Sequence, residues 1–232
     1  MNSKSIAVTI SLDQTYIYLT FDYNKIKDKQ IINSKIKNRI FAIDQNPNYL
    51  GWSVIQWYDE NDYKIIDKGV ISIKPLNDKQ SNSHLSSTES TYFTNKRKYE
   101  ICKIGQQLVK LANHYQCEIF SLEKLTMSSS NKEKGRRFNR LCNNYWCRGI
   151  LYSQLKKYTN FYDIHFMEVL ANYSSFIGNL VYRSEQLPDM ILASIEISRR
   201  GYEFYHQYVL KDKPQKKNII LPELEIVRSR IS

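Results

Sequence analysis

Three acidic residues, Asp44, Glu123 and Asp189, stand at the ends of apolar segments that lie far apart in the chain. Asp44 follows the run Ile40-Phe41-Ala42-Ile43 and precedes a turn containing Asn46, Pro47 and Asn48. Glu123 lies near the end of EIFSLEKL, and Asp189 follows Pro188 at the opening of a helical segment. A carboxylate at the end of a buried strand is unfavourable unless something balances its charge, and a metal ion is one such partner. Carboxylates that converge without basic partners repel one another, which divalent cations relieve. Two Mg²⁺ ions about 4 Å apart activate a water and stabilise the leaving oxygen of a phosphodiester. Oxygen ligands of this kind suit Mg²⁺, with Mn²⁺ as a substitute. Each acid also has a plain structural reading. Asp44 fits a turn cap, Asp189 a helix cap, and Glu123 a surface pair with Lys124. Glu196 is a fourth candidate, seven residues beyond Asp189 on the same helical face, and its expected partner is Arg199 or Arg200.

The second constellation is cationic. Residues 132–157 hold Lys132, Lys134, Arg136, Arg137, Arg140, Arg148, Lys156 and Lys157 against one acid, Glu133. This segment also carries a helical apolar stripe, so it reads as a helix with a phosphate-contacting surface. Arg199 and Arg200 follow Asp189 within three turns and could hold substrate phosphates or complement the helix C-terminal half. The whole chain agrees with a polyanionic partner: 232 residues carry a net charge of +11 and a pI near 9.3. Nucleic acid is the expected partner, because no apolar run approaches transmembrane length.

Other chemistries find little support. No phosphate-binding glycine loop is present. Ser174 and Ser175 have no neighbouring His/Asp arrangement, and the four histidines show no ligand spacing. The four cysteines include no CxxC pair, and Cys142 and Cys147 would sit roughly 140° apart on a helix, so no zinc is expected. The N-terminus lacks a signal-peptide core, which places the expected location in the cytoplasm with free thiols.

The elements that must position the acids read as follows. Residues 6–22 alternate like a β-hairpin, followed by a Lys-rich connector. Ile40–Asp44, Leu50–Tyr58 and Tyr63–Ile73 read as strands. Pro75–Ser90 reads as an exposed loop, and about Tyr92–Tyr115 as an amphipathic helix. Glu118–Leu125 and Asp163–Leu170 read as strands, residues 171–178 as a turn-rich loop, and Pro188 to about Gln207 as a last helix. Three strands followed by alternating helices and strands predict an α/β domain with a mixed sheet. The expected organisation is a hairpin appendage and linker over 1–37, a catalytic domain over 38–210 and an irregular tail over 211–232.

Several of these segments together resemble one family. FAIDQNPNYLGWSV, residues 41–54, resembles the first RuvC motif of the TnpB (OrfB) transposon-encoded nucleases and the related type V CRISPR effectors. IFSLEKL, residues 119–125, is similar to their second motif, ANYSSFIG to their Asn-Pro-x-Tyr-Ser-Ser-x-Ile-Gly loop, and LPDMILASIEISRRGYEF, residues 187–204, to their third motif. The resemblance implies an RNase H-like fold with a five-stranded sheet in the order 3-2-1-4-5 and helices on both faces. It also implies that Asp44, Glu123 and Asp189 bind two Mg²⁺ and cleave DNA, with a guide RNA or a separate recognition subunit choosing the target. The family's zinc ribbon is absent from this sequence, and residues 1–37 offer room for one hairpin where the family carries a larger segment. Two other readings stay open: a stand-alone RuvC-like junction resolvase, and a nucleic-acid-binding accessory that does not cut.

Overall fold

A computed structural model describes residues 8–21, 34–80, 86–124, 148–170 and 172–210. The chain divides into two compact units, Met1–Ile32 and Asn33–Ser232.

The first unit holds β1 (Val8–Leu12) and β2 (Ile17–Phe21), paired antiparallel with Val8 opposite Phe21 and Leu12 opposite Ile17. Asp13 builds the turn. Its carboxylate accepts the N–H groups of Thr15 and Tyr16 at 2.7 Å and the Tyr18 hydroxyl at 2.6 Å. The hydrogen bond from Tyr18, then those from the two amides, hold the Asp13 carboxyl below its usual range.

The second unit is built on a five-stranded sheet: β3 (Ile36–Gln45), β4 (Tyr49–Trp57), β5 (Tyr63–Ser72), β6 (Cys117–Lys124) and β7 (His165–Leu170). The strand order is β5-β4-β3-β6-β7. β3, β4 and β5 are antiparallel neighbours, and β6 and β7 add in parallel. Counted from β3 as the first strand, this is the expected order 3-2-1-4-5, and the fold is RNase H-like. Ile40, Phe41, Ala42 and Ile43 on the central strand are fully buried, which explains their unbroken apolar run.

Helices cover both faces. On one side Phe41 and Ile43 pack with Phe120 beneath α2 (Ser87–His114) and α3 (Arg148–Phe161), which supply Ile101, Leu108, Leu151 and Leu155. On the other, Ile40, Ile55 and Ile119 meet Leu192 and Ile195 of α5 (Asp189–Phe204). Three buried hydroxyl contacts fasten α5 to the sheet. Ser194 Oγ lies 2.8 Å from Ser53 Oγ, Trp57 Nε1 donates to Ser198 Oγ at 2.8 Å, and Ser121 Oγ donates to the Ile197 carbonyl at 3.0 Å. Small residues permit this approach: a Cβ on Gly51 would collide with the backbone of Met190.

Two loop expectations are corrected. Lys74–Gln80, which overlaps the start of the expected loop of Pro75–Ser90, is helix α1, with Pro75 in the first turn, where a missing N–H costs nothing. The same stretch ends in a capping box: Ser86 Oγ accepts the Glu89 N–H at 3.3 Å while Glu89 Oε2 accepts the Ser86 N–H at 2.9 Å, and α2 begins at Ser87. Residues 174–178 of the expected loop over 171–178 are helical instead. Tyr173 adopts the left-handed conformation, φ 59°, and Ser174–Val181 then forms α4, which buries Gly178 against the α5 backbone at Leu192. The last helix ends at Phe204 and finishes in a π-helical turn, Tyr205–Val209. No helix among the described residues is long and apolar enough to cross a membrane.

Candidate metal-binding and catalytic site

In β3 the side chains of Ile40, Ala42 and Asp44 share the face that α5 covers, and in β6 Ile119, Ser121 and Glu123 do the same. β3 and β6 run parallel with Ile43 opposite Leu122. The next residue on each strand is therefore a carboxylate, and neighbouring strands lie about 4.8 Å apart. Both acids are 8% exposed.

Their electrostatics follow from this placement. Burial, and then the charge of Glu123, push the Asp44 carboxyl up to about 7. Burial also raises Glu123, opposed by a hydrogen bond from Ser174 and by the positive charge of Arg200. The buried Ser174 hydroxyl donates to Glu123 Oε1. A cleft of about 410 Å³ opens over the pair, walled by Asn46 and by Tyr173, Ser174, Ser175 and Phe176 at the start of α4. Two adjoining acids, with no lysine or arginine in the cleft wall and with the side-chain oxygens of Gln45, Asn46 and Ser175 in the same lining, make a donor set suited to a hard divalent cation.

Asp189 is exposed as the first residue of α5, where the helix N-terminus favours an acid. The following residue, Met190, lays its backbone against Gly51, and Gly51 is the register partner of Asp44. Asp189 is thus carried to the same end of the sheet but is not part of the cleft wall. Among the described residues no three His, Cys, Asp or Glu side chains gather closely enough to hold a metal. The structure brings Asp44 and Glu123 together and leaves Asp189 beside them.

The expected partnership of Glu196 takes a stronger form than a single pair. Its carboxylate is fully buried and accepts both Arg199 Nε and Arg199 Nη2 at 2.9 Å and Arg200 Nε at 2.8 Å. Arg199 also bonds Glu203. Arg200 donates onward to the carbonyls of Leu170 and, at 2.9 Å, Asn172. The two arginines expected to hold phosphates are therefore engaged by protein groups, and Arg200 fixes the chain that leads into Ser174. Lys132, Lys134, Arg136, Arg137 and Arg140 lie outside the described residues, as do Cys142 and Cys147; Arg148 is half-buried at the start of α3. Cys102 and Cys117 are free thiols.

Sequence reasoning missed Ser174 and Arg200 as partners of the acidic pair. Ser174 lies within ANYSSFIG, but its contact with Glu123 spans 51 positions and exists only once β6 and α4 are side by side.

No family model matches the sequence, and no curated protein does. Among solved structures the chain is similar to T. thermophilus RuvC in complex with Holliday junction substrate, at 10% identity and a TM-score of 0.46 over 73% of this chain and 94% of that one. It is also similar to a Cas12f1–sgRNA–target DNA complex, at 14% identity and a TM-score of 0.45 over 72% of this chain and 40% of that one. The yeast mitochondrial Holliday junction resolvase follows, at 12% identity and a TM-score of 0.43 over 80% and 86%. Fold and site define an RNase H-like α/β domain with two carboxylates at the ends of adjoining central strands.

Proposed function

We propose that the chain is a divalent-metal-dependent DNA endonuclease of the RuvC/TnpB type, hydrolysing phosphodiester bonds with Asp44, Glu123 and Asp189 as its acidic residues. The observation that carries this reading is the buried pair Asp44–Glu123, two adjoining carboxylates whose burial, and then the charge of Glu123, hold the Asp44 carboxyl up at about 7. Such a pair suits two Mg²⁺, or Mn²⁺ in their place, which when bound supply the positive charge that activates water and stabilises the leaving oxygen. Asp44 and Glu123 serve as oxygen ligands, Ser174 holds the Glu123 carboxylate in one orientation, and Asp189 supplies a third acid from the start of α5. Lys132, Lys134, Arg136, Arg137, Arg140 and Arg148 contact the DNA backbone, and the target is chosen by a guide RNA or a separate recognition subunit.

The test is cleavage of labelled single-stranded, duplex and four-way-junction DNA with Mg²⁺, with Mn²⁺ and with chelator, alongside sequencing of any co-purifying RNA. Metal-dependent cutting supports the reading, and the preferred substrate separates a junction resolvase from an RNA-guided enzyme. Tight DNA binding with no cutting of any substrate favours the non-cleaving accessory.

A further inference from the structure

The cleft carries two features that metal-ion chemistry does not use. Tyr173 and Phe176, on the same wall as Ser174, are 76% and 60% exposed. They are three residues apart where the chain enters α4, and both line the cleft over Asp44 and Glu123. Among the described residues neither ring packs on another aromatic ring or under a cation. The backbone beneath them is held firmly. Arg200 binds the Leu170 and Asn172 carbonyls, Tyr173 is fixed in a left-handed conformation at φ 59°, and the Ser174 side chain is buried on Glu123. Two large apolar rings are thus kept in solvent, on an anchored support, at the mouth of an acidic cleft.

We infer that Tyr173 and Phe176 form a stacking platform for an unpaired nucleobase of the substrate, next to the phosphate that meets Asp44 and Glu123. This rests on the nuclease reading above and narrows its substrate class. A phosphate approaching two carboxylates is repelled until cations are present, whereas a neutral base face is not. Aromatic faces can therefore supply affinity at a place where backbone contacts cannot. A base inside a duplex has both faces covered by its neighbours, so the platform selects a nucleotide already out of the stack, as in a single strand or at a branch point. The rings are sequence-tolerant, because every base has a π-face.

The test uses the full chain with metal chelated, so that binding is read without cutting. A single strand carrying 2-aminopurine is titrated with protein, and anisotropy and base fluorescence are recorded. Tyr173→Asn removes the ring while keeping a residue that tolerates the left-handed turn, and Phe176→Ala removes the second ring. Each is expected to weaken single-strand binding at least about fivefold and to relieve 2-aminopurine quenching, with duplex affinity unchanged. Tyr173→Phe should restore both signals, and circular dichroism checks folding. Wild-type protein that leaves the 2-aminopurine unquenched overturns the inference, as do ring-deleted variants that bind like wild type or lose single-strand and duplex affinity alike. Asp44→Ala, assayed in parallel with Mg²⁺, separates the two claims. If it abolishes cutting while the ring variants change nothing, the platform fails alone. If it still cuts while the ring variants lose quenching, the acidic assignment fails alone.

Discussion

Asp44 and Glu123 stand one residue beyond the Ile43–Leu122 pair on two parallel strands, so the sheet's own register sets them side by side. Each belongs to a strand whose preceding residues are core, which leaves these carboxylates buried at the sheet end rather than displayed on a loop. The consequence is a site whose charges are in conflict, relieved either by a proton or by a cation.

That conflict has a pH signature. The Asp44 carboxyl titrates at about 7 in the fold against 3.8 ordinarily, so the native state prefers its protonated form. Well below pH 3.8 both folded and unfolded chains hold the proton and no penalty exists. Between 3.8 and about 7 the unfolded chain releases its proton first, so stability falls as pH rises and levels off above 7. Asp44→Asn removes the titrating group. Chelated Asn variant should match wild type at about pH 3 and exceed it by about 2–4 kcal/mol at pH 8, since one unit is worth about 1.4 kcal/mol. Urea denaturation at the two pH values measures this, and equal stability at pH 8 would contradict it.

Ser174→Ala leaves Glu123 without its buried donor. Metal affinity should fall about 10- to 100-fold, as it does when a partner that orients a ligand is lost. Isothermal titration with Mn²⁺ reads this directly. Unchanged affinity would mean that the hydroxyl only fills space.

Arg200 acts on the same residue from further away, through the Leu170 and Asn172 carbonyls that lead into Ser174. Arg200→Gln is expected to weaken Mn²⁺ binding in the same direction as Ser174→Ala, and the double variant should lose less than the two losses combined because the effects run through one chain. Fully additive losses would refute the coupling.

Glu196 is the anion that both arginines share, and its carboxylate is fully buried. Glu196→Gln removes the charge while retaining the shape, leaving two guanidinium groups in a partly buried place. A destabilisation of about 3–5 kcal/mol is expected from breaking a buried ion pair on one side only. Chemical denaturation measures it, and a loss below about 1 kcal/mol would show that solvent reaches the arginines freely.

Gly51→Ala tests how α5 is seated without touching any acid. Its Cβ would meet the Met190 backbone, so the start of α5 must shift, at a cost of about 1–3 kcal/mol. Because Asp189 immediately precedes Met190, DNA cutting should fall by more than the stability loss explains. A variant that cuts at the wild-type rate would remove Asp189 from the site.

Much of this arrangement is visible in one dimension. The Ile40–Ile43 run followed by Asp44 and an Asn-Pro-Asn turn marks a buried strand entering a tight reversal, because composition and local turn chemistry suffice for that. The helix α2 is legible from its 3–4 spacing. The capping box at Ser86 and Glu89 was also there to be read, hidden in a Ser-rich stretch that looks like loop. By contrast, α4 is preceded by a tyrosine in a left-handed conformation, which no local propensity favours. It is imposed by contacts made elsewhere, from Arg200 and Glu123. The partnership of Arg199 and Arg200 with Glu196 follows from helical spacing, but that Arg200 also reaches back to Asn172 depends on how α5 crosses the sheet. Sequence placed the acids at element ends; only the parallel pairing of β3 with β6 decides that Asp44 and Glu123 meet while Asp189 stays at the rim.

In the function proposed above, this pair of carboxylates cuts DNA with the help of divalent metal. The most direct measurement is the single-turnover cleavage rate of a labelled DNA substrate at saturating Mg²⁺ for wild type and for Asp44→Ala. The account predicts metal-dependent cutting by wild type and a loss of at least about a thousandfold in the variant. An Asp44→Ala protein that still cuts at a comparable rate would contradict it.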